Sequence, residues 1–216
     1  MMARSRTLST ALVSAVAAVA IVATLATPLA SSGTEAARTA PASALTAEEA
    51  ISQIEGEDGV LRFEVAEDAS RFVWAGGPVL TDGLPADSTP YVTQGYLYPV
   101  GTLANGNGVL ADGSPEFPDK VLGQWSCYGW RLSAGVPDRT APWVTTHLFN
   151  FGGTWGEATL VSEGYSIDDL GIPLDRAIVG GTGPYAEARG IQRETNLGFN
   201  ATDGMNFRYE VDIADQ

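Results

Sequence analysis

Residues 177–190 read AIVGGTGPYAEARG, a β-branched run that leads into a cluster of glycines. Ile178 and Val179 favour a strand, and the adjacent Gly180 and Gly181 are typical of a place where a neighbouring backbone or ring lies too close for a side chain. The Gly-Pro pair that follows indicates a turn. The stretch therefore predicts a strand, a close approach and a tight turn in succession.

The same glycines also suggest a nucleotide-binding loop, but their spacing argues against one. A P-loop needs a lysine followed by serine or threonine after its second glycine, and Lys120 is the only lysine in the chain. A dinucleotide fingerprint needs Gly-x-Gly-x-x-Gly at the start of a helix, whereas residues 181–186 read GTGPYA. We therefore expect the glycines to serve the fold and not to bind phosphate.

The N-terminus has the pattern of a secretory signal peptide. Arg4 and Arg6 precede an apolar stretch from about residue 8 to residue 30, which contains small residues suited to signal peptidase. We predict that residues 1–30 are cleaved and that the mature protein is secreted to the extracellular space or the cell envelope. The alternative is an uncleaved membrane anchor, which the length of the apolar stretch permits. After cleavage, no stable membrane association is expected.

Charge and residue usage limit the partners. Removal of residues 1–30 would change the formal charge from −14 to −16, because two arginines and no acidic residues lie there. Nucleic acids and anionic membranes are recognised through Lys and Arg patches, so we expect neither as a partner. Cys127 and His147 are the only cysteine and histidine. A disulfide within the chain and a Cys/His zinc site are therefore excluded, and no metal site is predicted.

Two short segments precede the main domain. Residues 31–45 contain mostly Ser, Thr, Ala and Pro without periodicity, which predicts a flexible linker. Residues 46–59 predict a short helix and a turn, because Thr46 and Glu49 form a capping-box pattern ahead of a helix expected at about 47–55. We expect this helix to pack on, or plug, one end of the domain that follows.

The domain at residues 60–216 shows the period-two alternation of β-strands. Leu61, Phe63 and Val65 alternate with other residues, and a second run follows at residues 71–75. Hairpin-type turn sequences separate such runs along the chain, and regularly spaced strands with almost no helix indicate a barrel or a sandwich. The later strands are predicted at Tyr91–Tyr98, Gly101–Leu110, Val121–Ser133, Trp143–Phe151, Ala158–Gly164, Ala177–Gly180, Ile191–Asn200 and Met205–Ile213.

The faces of these strands favour the barrel. In the last strand, Phe207, Tyr209 and Val211 face one way, and polar side chains face the other. Residues 124–130 are instead apolar or aromatic on both faces, which suits a barrel wall that is lined inside and covered outside. Either a partner chain or the N-terminal helix with residues 60–90 could cover the outer aromatic side chains, and the sequence leaves both open.

Residues 63–68 (FEVAED), 93–103 (TQGYLYPVGTL) and 117–125 (FPDKVLGQW), with the glycine-rich stretch, resemble the secreted bacterial branch of the allene oxide cyclase barrel-like and dirigent-like family. The resemblance covers most of residues 60–215. It implies an all-β fold: an eight-stranded antiparallel β-barrel of calycin type with a short N-terminal helix, a largely apolar lumen and no cofactor. The family's structural signature corresponds here to Gly180, Gly181, Gly183, Arg189 and Gly190.

The resemblance also implies a class of function. Plant allene oxide cyclases and dirigents confine reactive intermediates in the barrel, so the expected partner is a small apolar or aromatic ligand. We expect an exported barrel that steers the isomerisation or cyclisation of such a metabolite by shape. A non-catalytic secreted binding or interaction module on the same scaffold is the alternative. Trimers are common in the family, so a homo-oligomer stands as an alternative to a monomer.

His147 and Glu163 are the candidate catalytic residues. By alternation His147 shares a face with Thr145 and Phe149, and in the lumen it could act as a general base. Glu163, if it also faced an apolar lumen, could serve as an acid or a base. The alternatives are a hydrogen-bonded wall histidine and a solvated carboxylate on the strand surface.

Five further residues are candidates for ligand binding. Gln94, Tyr96 and Tyr98 share one strand face, which forms a polar aromatic wall if it faces the lumen and an interface if it faces outward. Trp125 and Cys127 share a face of another strand, where the thiol is expected to be a small buried residue and not a nucleophile. No Gly-x-Ser-x-Gly or His-Glu-x-x-His motif occurs, so the sequence carries no hydrolase signature.

Overall fold

The computed structural model describes residues 43–76, 88–132 and 142–214. Its strands are β1 Leu61–Trp74, β2 Pro90–Pro99, β3 Gly123–Arg131, β4 Trp143–Phe151, β5 Thr159–Ser166, β6 Pro173–Gly181, β7 Gly190–Phe199 and β8 Met205–Ile213. Each strand pairs with the next in antiparallel fashion, and β8 pairs back with β1 to close a barrel of eight strands. The predicted fold class is confirmed. The predicted signal peptide and nearly all of the predicted linker lie outside the described residues.

Two details of the predicted strands are wrong. Gly101–Leu110 is not a strand, because Gly101 and Gly108 have φ angles of +86° and +76° and a short 3₁₀ turn lies between them. Such φ angles interrupt a β-strand and are adopted readily only by glycine. The two runs predicted at 61–66 and 71–75 are instead one strand, and an irregularity in its pairing with β2 falls between Asp68 and Val73.

The short helix α1, Ala47–Ser52, closes one end of the barrel. Its capping box forms as predicted: Thr46 Oγ1 accepts a hydrogen bond from the Glu49 amide at 3.2 Å, and the Glu49 carboxylate accepts one from the Thr46 amide at 2.9 Å. Ala50 and, just beyond the helix, Ile54 are buried against the barrel core. The helix therefore plugs the barrel end, as the sequence indicated. Among the described residues, no helix is long and apolar enough to cross a bilayer.

Aromatic side chains fill the half of the barrel next to α1. The Phe63 ring lies 5.0 Å from Phe149, 5.5 Å from Phe151 and 5.5 Å from Tyr209, measured between ring centroids. All four side chains are fully buried. Contacts of this kind stabilise a packed core and leave no room for a ligand. The lumen is therefore not an open apolar tube from end to end.

A second apolar cluster lies outside the barrel, where the segment between β2 and β3 folds back over the wall. Tyr96 and Tyr98 pack there with Leu103 and Val109. The Tyr98 hydroxyl donates to the Gly108 carbonyl at 2.6 Å, and the Tyr96 hydroxyl donates to the Gly113 carbonyl at 2.9 Å. At Tyr96 and Tyr98 the outer face of β2 is thus as deeply buried as its inner face.

The glycine-rich stretch forms the end of β6 and the turn that follows it. A Cβ atom on Gly181 would lie 2.0 Å from the Thr159 carbonyl oxygen, and Gly180 has a φ angle of +137°. Neither position accepts a larger residue without movement of the backbone. The predicted close approach is therefore present, and the glycines allow β6 to pair tightly with β5.

Part of the outer wall remains exposed. Tyr128 and Trp130 are 42% and 45% exposed, and α1 covers the barrel end instead of this surface. The sequence left open cover by the helix with residues 60–90 or by a partner chain; α1 does not provide it, and residues 77–87 lie outside the described residues. Cover by a partner chain remains a prediction.

Candidate functional site

A buried arginine lies in the middle of the barrel. Arg176, on β6, is 3% exposed and donates to Thr145 Oγ1 at 2.7 Å, to the Thr145 carbonyl at 2.9 Å and to the Tyr165 carbonyl at 2.8 Å. An arginine side chain is always charged, so its burial requires such donors to be satisfied. The middle of the lumen is therefore polar, and the apolar lumen that the family resemblance implied is confined to the half beside α1.

Glu194, on β7, is the acidic partner of this arginine. Its Oε2 atom lies 3.9 Å from Arg176 Nη1 and 3.5 Å from His147 Nδ1, while Oε1 accepts a short hydrogen bond from Ser166 Oγ. Burial raises the pKa of Glu194, although the Arg176 charge and the Ser166 and Tyr209 hydroxyls oppose that rise. Burial therefore favours the protonated form of this carboxyl group, whereas the Arg176 charge favours the ionised form.

His147 lies beside this carboxyl group and is also fully buried. Its Nε2 lies 3.3 Å from Thr145 Oγ1, and its Nδ1 lies 3.4 Å from the Tyr209 hydroxyl. Burial, and then the nearby Arg176 charge, holds the pKa of His147 well below its usual value. The imidazole is therefore neutral at physiological pH and acts within the polar layer as a hydrogen-bonding group.

A recess opens at the barrel end opposite α1, above the polar layer. Its cavity volume is about 30 Å³, which is room for about two water molecules. The lining combines aromatic side chains with two carboxyl groups, two aliphatic hydroxyl groups and two sulfur-containing residues. These residues are Glu67, Phe72, Tyr91, Thr93, Trp125, Cys127, Trp143, Ser166, Asp168, Met205 and Phe207.

Glu67 is the most unusual group in the recess. Its side chain projects from β1 on the same face as Phe63 and Val65, and the residue is 4% exposed. Thr93 Oγ1 donates to Oε1 at 2.7 Å, and the Met205 amide donates to Oε2 at 2.8 Å. Burial nevertheless raises the pKa of Glu67, and the two charged neighbours that affect it, Asp168 and Asp68, are both acidic. Among the described residues, the group is therefore a buried acid without a compensating cation.

Two other titratable groups line the recess. Asp168 accepts hydrogen bonds from Trp143 Nε1 at 3.1 and 3.2 Å, and burial raises its pKa. The Cys127 sulfur lies 3.4 Å from the Tyr91 hydroxyl, and burial raises the pKa of Cys127 to about 12. The cysteine is therefore a protonated thiol at neutral pH and contributes to the wall without acting as a nucleophile.

The structure brings three of the predicted site residues to this region. Trp125 and Cys127 line the recess, and His147 lies one layer below it, with its ring 5.4 Å from the Trp125 ring. The other four residues lie outside the lumen, which is the second of the two alternatives that the sequence left open for them. Glu163 is exposed on the outer wall of β5, Gln94 lies on the outer face of β2 beside Arg71, and Tyr96 and Tyr98 lie beneath the external loop.

Four residues of this region are not predicted from the sequence: Glu67, Asp168, Arg176 and Glu194. For Glu67 a signal was present, because it continues the alternation of Phe63 and Val65. Glu194 and Arg176 carried no such signal, because neither face of β6 or β7 is consistently apolar in sequence. Asp168 lies just beyond β5, where alternation assigns no face. Among the described residues, no group of three or more His, Cys, Asp or Glu side chains is placed to hold a metal ion.

Comparison with solved structures finds barrels of related architecture. Two pterocarpan synthase dirigent proteins superpose with TM-scores of 0.49 and 19% identity; the matches cover 71% of this chain and 82% and 92% of theirs. A pyocyanin demethylase superposes with a TM-score of 0.47 and 15% identity, over 72% of this chain and 99% of its own. This chain is similar in architecture to these dirigent-like barrels.

No protein-family model matches the sequence, and no curated protein matches it significantly. At these levels of similarity the solved structures carry no information on function. We therefore base the function on the residues of this chain.

Proposed function

We propose that this protein binds a small apolar or aromatic metabolite in the recess at the open end of the barrel and steers its isomerisation or cyclisation. The observation that carries the proposal is Glu67, a buried carboxyl group with a raised pKa that lines an aromatic recess. Acids whose pKa values are moved toward neutrality by burial are suited to proton transfer at physiological pH. The proposal needs no cofactor.

Glu67 can change protonation state without breaking its hydrogen bonds. In the ionised form Thr93 donates to Oε1, and in the protonated form the carboxyl hydrogen can be donated to Thr93 Oγ1 across the same 2.7 Å contact. The Met205 amide donates to the other oxygen in both forms. Glu67 could therefore remove a proton from one atom of a ligand and return it to another, which isomerises the ligand with no net gain or loss of protons.

A second acid is connected to the recess through Ser166. Ser166 lines the recess, and its hydroxyl donates to Glu194, whose own carboxyl group is deeper in the barrel. A hydroxyl between a ligand and a buried carboxyl group can pass a proton in either direction. Glu194 would then complete an acid and base pair with Glu67, and His147 and Arg176 would hold Glu194 in position.

The proposed mechanism, proton transfer by Glu67, differs from the one expected from the sequence. That expectation was control of the reaction by the shape of the lumen. Because aromatic side chains fill the barrel beside α1, the ligand must approach from the open end, and only part of it can enter the recess. The same packing favours the second candidate function, a non-catalytic exported binding module. A cavity of about 30 Å³ holds less of a ligand than the usual small-molecule site does.

The two functions can be separated by solvent-deuterium exchange. The mature protein would be purified from its own producing cells, and small molecules that co-purify would be identified by mass spectrometry. Each would then be incubated with the protein in D₂O. We expect deuterium to enter the ligand at one carbon position with the wild type, and the rate to fall at least about tenfold in Glu67→Gln.

Glu57→Gln is the matched control, because Glu57 is an exposed carboxylate in the turn beside α1, at the other end of the barrel. It should leave the exchange rate unchanged. Binding with neither deuterium exchange nor conversion of the ligand to an isomer, by wild type and both variants alike, would support the binding module and contradict the isomerase. Absence of any retained small molecule would contradict both.

Export is a separate part of the proposal and rests on the N-terminal sequence pattern. N-terminal sequencing of protein recovered from the medium or the cell envelope tests it. A new N-terminus near residue 30 is expected, and an intact Met1 in a membrane fraction would contradict cleavage.

A further inference from the structure

The acidic groups in and beneath the recess differ in whether a cation lies near them. Glu194 has Arg176 nearby, and the Arg131 charge lowers the pKa of Asp168 against the effect of burial. Glu67 has no such partner among the described residues, and no Lys or Arg is part of the described lining. A buried carboxylate without a cation is costly, so the recess favours a ligand that supplies a positive charge.

Aromatic rings surround this carboxyl group at the mouth. The Phe72 and Tyr91 rings stack at 5.0 Å with an interplanar angle of 10°, and the Trp143 ring meets Tyr91 at 4.9 Å with an angle of 77°. The Arg131 guanidinium lies over the Trp143 ring, 5.8 Å from its centroid, so this part of the mouth already holds one cation–π contact. Aromatic side chains at the mouth also pack well against a flat ring. An anion would instead face the Glu67 and Asp168 carboxyl groups of the lining.

Trp125 provides an independent indication of a ligand. It lines the recess and is 2% exposed, and its Nε1–H has no hydrogen-bond acceptor among the described residues. A buried N–H without a partner carries the full cost of its lost hydration. A ligand atom that accepts a hydrogen bond would remove that cost.

We propose that the ligand of this recess is a small, flat organic cation that carries a hydrogen-bond acceptor, with its charge on Glu67 and its acceptor at the Trp125 indole N–H. This inference rests on the proposed function, since it names the chemical class of the ligand that the same recess would bind. The small cavity adds a limit on size. Only the charged end of such a ligand would enter the recess, and the rest of its ring would lie against the aromatic side chains at the mouth.

Cation binding is coupled to proton release in this account. Burial raises the pKa of Glu67 in the free protein, whereas a bound cation favours its ionised form and lowers that pKa. Between the two pKa values the ligand displaces a proton, so affinity rises with pH and levels off above the pKa of free Glu67. The titratable groups that interact with Glu67 are Asp68, Tyr91, Cys127, Asp168 and Tyr209. Of these, Asp168 is the other carboxyl group that lines the recess.

Two isosteric probes test the proposal on the wild-type protein. The 1-methylnicotinamide cation has a ring nitrogen with a methyl group and a carboxamide acceptor, and 3-methylbenzamide has the same shape without the charge. Binding would be measured by isothermal titration calorimetry at several pH values between 5 and 8. We expect the cation to bind at least about tenfold more tightly than the neutral isostere at the highest pH, and this preference to shrink as the pH falls.

Glu67→Gln removes the charge and keeps an acceptor for the Met205 amide. In this variant the cation should lose its preference and its pH dependence, while the affinity for 3-methylbenzamide stays the same. Glu57→Gln should keep the wild-type preference. If both probes bind with equal affinity at every pH, the inference fails and the proposed function stands. If neither probe binds the wild type at millimolar concentration, the inference fails as well, and solvent-deuterium exchange with co-purified ligands decides the proposed function separately.

Discussion

Glu194 Oε2 lies 3.5 Å from His147 Nδ1 inside the barrel, and both side chains are only 2% exposed. The pair belongs to a polar layer in which Arg176 supplies the positive charge and the imidazole is held neutral. Because Ser166 joins this layer to the recess, the layer is both part of the core and the support of the candidate site. Its energetics can therefore be tested by stability as well as by binding.

The neutral state of His147 predicts a pH dependence of stability. The pKa of His147 is lower in the folded protein than in the unfolded chain, so the unfolded chain binds more protons as the pH falls below about 6.5. The stability that His147 contributes is present above that pH and is lost as the pH falls toward the folded-state pKa. Urea unfolding of wild type and His147→Gln at pH 7.5 and pH 5 measures this effect.

The comparison with the variant is needed because raised carboxyl pKa values act in the opposite direction. Glu67 and Glu194 favour the folded state more as the pH falls, since they are harder to ionise there. We expect the loss of stability between pH 7.5 and pH 5 to be larger in the wild type than in His147→Gln. An equal change in the two proteins would show that His147 is protonated in the folded state or is accessible to water.

The buried pair predicts a strong coupling between Arg176 and Glu194. Arg176→Met leaves the Glu194 carboxyl group without its cation, and removal of one partner of a buried pair costs about 3–5 kcal/mol. Adding Glu194→Gln to Arg176→Met should restore part of this loss, because the orphaned charge is removed. A double-mutant cycle from urea unfolding measures the coupling. Strictly additive losses would show that the 3.9 Å contact carries no interaction energy.

A substitution in the glycine-rich stretch is expected to lower the stability of the fold and not to act directly on ligand binding. Gly181→Val would place a side chain against the Thr159 carbonyl oxygen, 2.0 Å from the ideal Cβ position, and should reduce the free energy of unfolding by about 1–3 kcal/mol. Lys120→Ala is the matched surface control and should stay within about 0.5 kcal/mol of the wild type, because Lys120 is exposed. Equal melting temperatures with lost ligand binding in Gly181→Val would instead assign the glycines to the binding site.

The burial of Cys127 predicts that its thiol reacts slowly with thiol reagents. Burial raises its pKa to about 12, and the residue is 3% exposed, so little thiolate is present at pH 8. Ellman's reagent should therefore react with the native protein far more slowly than with the protein in urea. A ligand in the recess should slow the native reaction further. Equal rates in native and unfolded protein would contradict the burial of this thiol.

The sequence predicted the barrel because the alternation of its strands and the spacing of its turns are local signals. Residues of the last strand and of β4 lie on the faces that alternation assigned to them, including His147. For β2, the sequence did not decide which face of the strand points into the lumen. The external loop buries Tyr96 and Tyr98 on the outer face as deeply as core residues are buried. A local pattern cannot show which distant segment covers a strand face.

The polar layer could not be predicted from the sequence, for a related physical reason. Arg176 and Gln192 are paired across β6 and β7, and both point into the barrel, where a sequence pattern leads one to expect apolar residues. Their burial is compensated by groups on other strands, such as Thr145 on β4. A compensation of this kind depends on the closure of the barrel and leaves no trace in the spacing of residues along one strand.

The location of the ligand is the central claim, and chemical-shift mapping tests it most directly. The ¹⁵N-labelled mature protein would be titrated with 1-methylnicotinamide at pH 8, and backbone amide and indole N–H signals would be followed. We predict the largest shifts at Glu67, Thr93, Met205 and the Trp125 indole, with none at the outer-wall groove around Val60 and Arg193. Shifts confined to that outer groove, with the Trp125 indole unchanged, would contradict the account.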